Sequence, residues 1–313
     1  MIPNIFFSEN EIPIQYSIGT ATYFYNEADY VAHKYKNDLS TFYILKRKKK
    51  LVIGRIHFLI RDAKAISLPE SPFGSFELNE TITINVLNDF VCFIFERLQK
   101  KHVNNIEIST FPQIYEQQAS AKINYVLSNN GFKILATDIN HHIPIEGNFK
   151  NRIISMQFRK LKKCKKEGLI FKEENLSKLE DIYFFILKCR NERGQILSMD
   201  YHQLRNATNC SPERYKLFSV FKEGERLAAT VAVIVNEEIL YNFYPASKLA
   251  FKALSPMVFL TEGLFDYCRR NDYKILDLGT SCMGNQPNTG LINFKEGIGG
   301  ESSLKFVFEK SLN

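Results

Sequence analysis

A lysine set between a hydrophobic strand pattern and a glycine cluster is the first feature of this sequence with chemical content. In Ile275–Gly300, ILDLGTSCMGNQPNTGLINFKEGIGG, an apolar run carrying one acid, Asp277, leads into a long polar loop. The step Phe294-Lys295 follows, then Gly297, Gly299 and Gly300. Glycines let backbone approach a ligand closely, so Lys295 is a candidate for meeting negative charge; the bland alternative is a surface lysine beside a flexible turn. Asp277 suits three roles: orienting a substrate amine, bracing a lysine, or serving as a hydrogen-bonded acid at a strand end. Cys282 follows that strand in a loop, but no histidine lies near it in sequence, so a nucleophile–base set is not expected. Arg190, Arg193 and Arg205 stand close together in CRNERGQILSMDYHQLRNA, where a planar guanidinium can make paired contacts with an anion or simply serve as a surface ion-pair partner. In ILYNFYPAS, which reads as a strand, the two-residue period puts Asn242 and Tyr244 on one face and Tyr241 and Phe243 on the other. The first pair is more polar and is expected to face a ligand. Ser255 precedes Pro256 at an expected helix start, as an N-cap or as part of an anion site of exposed N–H groups.

The elements that must position these residues occur twice. FYILKRKKKLVIGRIHFLI and LFSVFKEGERLAATVAVIV each read as a hairpin. Each is followed by a crossing segment, a helical pattern and a strand, with Ile106-Glu107-Ile108 matching Leu276-Asp277-Leu278. That is an internal duplication. A strand–helix–strand order implies a right-handed crossover and a parallel pair, and the hairpins add antiparallel strands. The expectation is two mixed sheets with helices on their faces. The boundary is expected near Gly147 to Lys150, dividing the chain into residues 1–149 and 150–313, with the C-terminal strand SLKFVFEK returning to the first domain. A helix over Asn151–Gly168 would place Arg152, Arg159, Lys163 and Lys166 on one side and Ile154, Phe158 and Leu161 on the other. The basic side is either a solvated face or an anion-binding wall. The run Lys46–Lys50 reads as a solvated hairpin turn. In His141-His142, alternation sends the rings to opposite faces, against joint metal binding.

The chain has 313 residues, enough for two domains, with 45% hydrophobic and 24% charged residues and a formal net charge of +7. That charge suits an anionic partner without naming nucleic acid. The six cysteines form no C-x-x-C pair and no zinc spacing, so no metal is expected. MIPNIFFSENEIPIQ lacks the basic start and long apolar stretch of a secretory signal, and no run approaches a membrane span. A cytoplasmic location is expected.

The second half resembles the FemABX and FemAB-like (BioF2-like) acyltransferases, which are built from tandem acetyltransferase-like (GNAT) domains. The resemblance rests on NRIISMQFRKLKKCKKEG, CRNERGQILSMDYHQLRNA, GERLAATVAVIVNEEILYNFYPAS, ALSPMVFLTEGLFDYCRRNDYKILDLGTS and GLINFKEGIGG, in that order, over Asn151 to Gly300. It implies an α/β (α+β) fold of two GNAT-like domains and transfer of an acyl or aminoacyl group to an amine without a covalent intermediate. The implied co-substrate is acyl-CoA or aminoacyl-tRNA, with no tightly bound cofactor. The implied partner is a small molecule or cell-envelope precursor bearing phosphate, lying between or on the two domains. It also implies that Lys295, at the F-K step, stabilises the oxyanion of the tetrahedral intermediate, and that Arg193 or Arg205 holds a substrate phosphate. Two departures stand out. The glycine-rich R/Q-x-x-G-x-G/A turn for a CoA pyrophosphate is missing, with FKALSPMVF and FGSFELNET in its place, and no inserted helical hairpin for tRNA is visible. A non-catalytic ligand- or nucleic-acid-binding protein on the same duplicated fold is the alternative. The donor, the acceptor and the oligomeric state stay open.

Overall fold

The computed structural model describes residues 4–20, 22–36, 38–284 and 286–312. Met1–Pro3 of the stretch read for a signal, and Asn285 of the polar loop, lie outside them. The main strands are β1 (Ile5–Glu9), β2 (Leu39–Lys46), β3 (Leu51–Arg61), β4 (Lys64–Ile66), β5 (Asn105–Ser109) and β6 (Lys133–Pro144). They continue with β7 (Ile170–Glu174), β8 (Tyr215–Lys222), β9 (Glu225–Asn236), β10 (Ile239–Tyr241), β11 (Ile275–Thr280) and β12 (Glu301–Ser311). The helices are α1 (Ala28–Tyr35), α2 (Ile84–Lys100), α3 (Gln117–Asn129), α4 (Phe149–Arg152), α5 (Ser155–Lys166), α6 (Leu179–Asn191), α7 (Tyr201–Cys210), α8 (Pro256–Arg270) and α9 (Thr289–Gly297).

Two compact units result: Met1–Asp138 with Ser303–Asn313, and Ile139–Ser302. The division falls inside β6 and not in the glycine-containing loop at 147–150. Residues 139–144 are already committed to the second unit, because they pair with β11 in the register Ile143↔Leu276. The last residues belong to the first unit, where β12 runs antiparallel to β5 with Phe308 opposite Ile108.

Each unit repeats one plan. In the first, the hairpin β2–β3 is antiparallel, α2 follows, and β4 and β5 are parallel across that crossover. In the second, the hairpin β8–β9 is antiparallel, α8 follows, and β10 and β11 are parallel. The second unit's sheet runs β6-β11-β10-β9-β8-β7. The central strands read as near-continuous apolar runs because both faces are covered; Leu227–Val233 of β9 are all buried. Helix α8 packs on β8, β9 and β11, and α6 packs on β9. Phe218, Leu260, Leu264, Phe265 and Leu276 are wholly buried between these layers, each contributing on the order of 2–3 kcal/mol of apolar burial.

The expected helix over Asn151–Gly168 is broken. Ile153 and Ile154 are extended, with φ/ψ of −89/145 and −67/157, so α4 ends and α5 begins anew. The break turns Ile154 outward, 49% exposed, where an unbroken helix would have put it against the core. Phe158 and Leu161 do face inward.

Candidate functional site

The site is built where two parallel strands part. β10 and β11 are paired only over Ile239–Tyr241 and Ile275–Asp277. Beyond Tyr241 the chain leaves the ladder: Asn242 N–H still donates to Asp277 O at 2.8 Å, but Phe243 and Tyr244 N–H both turn to Val231 O. A crevice opens beyond the carboxyl ends of the strands, the usual place for a ligand in such sheets. It holds a cavity of about 440 Å³ lined by Arg190, Arg193, Tyr241, Asn242, Phe243 and Lys295, with Leu278–Thr280, Asn288, Gly290 and Leu291 among the other walls. A hollow of about 610 Å³ in the first unit, lined by Glu116, Gln117 and Lys122 among others, holds none of the candidate residues. Its lysine is tied to Ile82 O at 2.8 Å.

A bulge aims backbone oxygens at Lys295. The β6–β11 register slips between Asp277 and Gly279, and Gly279 takes φ +74, a conformation that costs any other L-residue. The buried Asp277 carboxylate holds this bend by accepting from Gly279 N at 2.8 Å and Asn140 Nδ2 at 2.9 Å. Gly279 O and Thr280 O then accept from Lys295 Nζ at 2.8 and 2.9 Å. Asn288 caps α9 by accepting from Leu291 N at 3.0 Å, which fixes the helix that carries Lys295. The lysine is only 6% exposed yet lines the cavity. Burial pulls its pKa down to about 8; Asp277 opposes the shift, Arg190 reinforces it and Cys282 opposes it.

Arg190 comes from the last turn of α6. Its Nη1 donates to Gln195 Oε1 and its Nη2 to Pro245 O, both at 2.9 Å. Its buried Nε has no hydrogen-bond partner. Arg193, in the next turn, donates to Cys189 O at 2.7 Å. Three cationic side chains thus line one small cavity.

Of the residues singled out from sequence, Lys295, Arg193 and Asn242 line the cavity, and Asp277 lies directly behind its wall. Arg190, weighed as a competitor, lines it too. Arg205 sits on an exposed position of α7 and is not in the cavity. Tyr244 is buried, bonded through its hydroxyl to Ser198 Oγ at 2.6 Å, and stays outside. The expected face alternation fails because β10 ends at Tyr241, so Tyr241 and Phe243 line the cavity together with Asn242 while Tyr244 does not. Ser255 does occupy the N-cap of α8, but in a left-handed conformation with no side-chain cap. Its hydroxyl donates to Lys252 O at 3.3 Å, and the cavity does not reach it.

Asn140 escaped sequence reasoning, since nothing in NHH marks the residue that will brace Asp277. His141 is wholly buried, its Nδ1 2.9 Å from Ser281 Oγ. Burial, with Lys295 and His142 adding to it, lowers its pKa to about 4, so it is neutral at pH 7. Ser281 is itself fully buried, which closes this pair to a substrate. Among the described residues no group of three His, Cys, Asp or Glu side chains is arranged to hold a metal, and no helix is long and apolar enough to cross a membrane.

No family model matches the sequence, and no curated protein does. Solved structures do. The crystal structure of FemX superposes with a TM-score of 0.69 at 15% identity, covering 91% of this chain and 91% of that one. The C-terminal domain of a putative lysylphosphatidylglycerol synthetase from Agrobacterium fabrum gives 0.54 at 12%, covering 83% and 81%. A tandem GNAT protein from the clavulanic acid biosynthesis pathway gives 0.52 at 9%, covering 88% and 83%. Likeness at such identities speaks of the fold, and on that ground the chain has a tandem GNAT fold.

Proposed function

We propose that the second unit is an acyl- or aminoacyltransferase that moves its group directly to an amine on a phosphate-bearing acceptor. One observation carries the reading: a buried lysine with two N–H groups spoken for by Gly279 O and Thr280 O, in the wall of a cavity that also holds Arg190 and Arg193. An ammonium has three donors, so one remains for a ligand. In the reaction the acceptor amine attacks the donor carbonyl carbon and a C–N bond forms. The carbonyl electrons move onto oxygen, and that oxyanion accepts a hydrogen bond from the remaining Lys295 N–H. Collapse expels the thiolate of a CoA thioester or the ribose oxygen of an aminoacyl-tRNA, and the proton given up by the attacking amine passes to that leaving group. A preorganised donor of this kind is worth about 3–4 kcal/mol. Arg190 and Arg193 supply the charge for a phosphate on the acceptor. Likeness to FemX and to a putative lysylphosphatidylglycerol synthetase supports a phosphate-bearing envelope precursor as the acceptor class.

The donor is the less constrained half. At the start of α8, where acetyltransferases seat a pyrophosphate, Pro256 removes one N–H and Ser255 is left-handed. This disfavours the ordinary acetyl-CoA cradle and leaves an acyl-CoA held differently, or an aminoacyl-tRNA, as co-substrate. A thermal-shift screen of CoA thioesters, nucleotide-sugars and aminoacyl analogues identifies binders. With any donor and acceptor pair so found, Lys295→Ala should lower kcat by a factor of roughly 100–1,000 and leave acceptor affinity within a few-fold. A variant as active as wild type removes the mechanism; binding with no transfer in any pairing favours the non-catalytic alternative.

A further inference from the structure

Helix α5 carries a cationic stripe that the cavity does not use. Met156, Arg159, Lys160, Lys163 and Lys166 recur at the three- and four-residue spacing that aligns side chains along one face. The opposite face is buried through Leu161 and Cys164. On the flank toward α8 the charge is neutralised, with Lys165 Nζ 2.7 Å from Glu262 Oε1. Along the stripe itself, Arg159, Lys160, Lys163 and Lys166 form no ion pair among the described residues. The adjacent acid, Glu167, is already taken by Lys222 at 2.7 Å. Two large apolar side chains are exposed at the N-terminal end of α5: Met156, 46% exposed, begins the stripe, and Ile154, 49% exposed, precedes the helix beside it.

We propose that this face docks the protein on a bilayer containing anionic phospholipid. Unpaired cations alone would suit any polyanion. The exposed Ile154 and Met156 favour a lipid surface, because aliphatic side chains gain by entering the acyl boundary, whereas single-stranded RNA is held by aromatic stacking. Each lysine or arginine near an anionic surface strengthens partitioning by roughly five-fold, so four cations without an ion pair, one of them (Lys163) reaching Ala253 O at 3.5 Å, suffice with two aliphatic anchors for reversible, salt-sensitive attachment. The docking end also touches the site. Ile154 N–H donates to Gly297 O at 3.1 Å, and a Cβ placed at Gly297 would lie 3.3 Å from both Ile154 Cδ1 and Gln157 Nε2. The surface-binding end of α5 therefore abuts α9, the helix that carries Lys295. The proposal stands on the surface of α5 and holds whether or not the cavity is a transferase site.

Co-sedimentation of the full chain with vesicles of phosphatidylglycerol and phosphatidylcholine in equal parts tests it, with pure phosphatidylcholine vesicles as the control. Binding is expected to the anionic vesicles alone and to fade as sodium chloride is raised. Arg159→Gln with Lys163→Gln should weaken it by roughly 30-fold, and Ile154→Ser with Met156→Ser should weaken it at every salt concentration. The chain contains no tryptophan, so Met156→Trp gives a clean fluorescence reporter whose emission should shift to the blue on anionic vesicles. That readout keeps the proposal falsifiable should a double variant fold poorly. No wild-type binding at low salt, binding indifferent to both double variants, an unshifted tryptophan, or attachment to generic RNA in place of vesicles would each overturn it.

Discussion

Raising the pH through 8 should remove a proton from Lys295 while an ordinary lysine is still charged. Its pKa is drawn from 10.5 to about 8, first by burial and then by Arg190, with Asp277 and Cys282 pulling the other way. That displacement corresponds to about 3 kcal/mol of preference for the neutral amine. The native state therefore holds fewer protons than the unfolded chain between about pH 8 and 10.5, and stability rises with pH across that window. This contribution is complete above about 10.5 and is lost as pH falls through about 8. Competitive labelling with acetic anhydride, read by peptide mass spectrometry, reports the titration directly and needs no substrate. Lys295 should become reactive with a midpoint near 8. Urea unfolding of wild type and Lys295→Met gives the energetic counterpart: between pH 7 and 10.5 the wild type should gain about 3 kcal/mol over the variant. A labelling midpoint above 10, or parallel pH curves for the two proteins, would refute the reasoning, because Lys295 would then be solvated and not buried in the wall of the crevice.

Three further outcomes follow from the geometry. Gly279→Ala would force alanine to φ +74 and set its Cβ 3.1 Å from Tyr241 Cε2; a loss of about 1–2 kcal/mol in urea is expected, along with a rise in the Lys295 labelling rate as its carbonyl partners shift. Gly263→Ala would place a Cβ 2.1 Å from Phe171 Cδ2, and overpacking of α8 against β7 should lower stability by about 1–3 kcal/mol. In the first unit, Glu77→Gln would strip the buried Arg55 of its ion-pair partner and should cost about 3–5 kcal/mol by the same assay.

Much of the architecture could be read from the residues because it rests on local patterns. The two hairpins have continuous β-rich runs around charged turns, and each is followed by a helix with a clear apolar face, so the order of elements survives translation into space. Lys295 was visible because a lone lysine just before a glycine cluster is conspicuous in sequence and because the F-K step carried the family resemblance, although the helix α9 that bears it was not foreseen. What failed depended on where elements stop. Tyr244 was placed toward a ligand by a two-residue period that ends at Tyr241, one residue before the chain swings to Val231. Ile154 was placed in the core by a helix that breaks before it. Arg205 and Arg190 differ only in which helix carries them past the crevice, and no spacing rule separates them. Asn140 acts on Asp277, 137 positions away, a partnership set by strand register alone.

Pre-steady-state acyl transfer by wild type and Lys295→Ala, with one donor and one acceptor that both bind the folded chain, tests the central claim most directly. Unchanged acceptor binding and a single-turnover rate reduced by roughly 100–1,000-fold in the variant are expected. Equal rates, or a lost rate that merely follows lost binding, would contradict it.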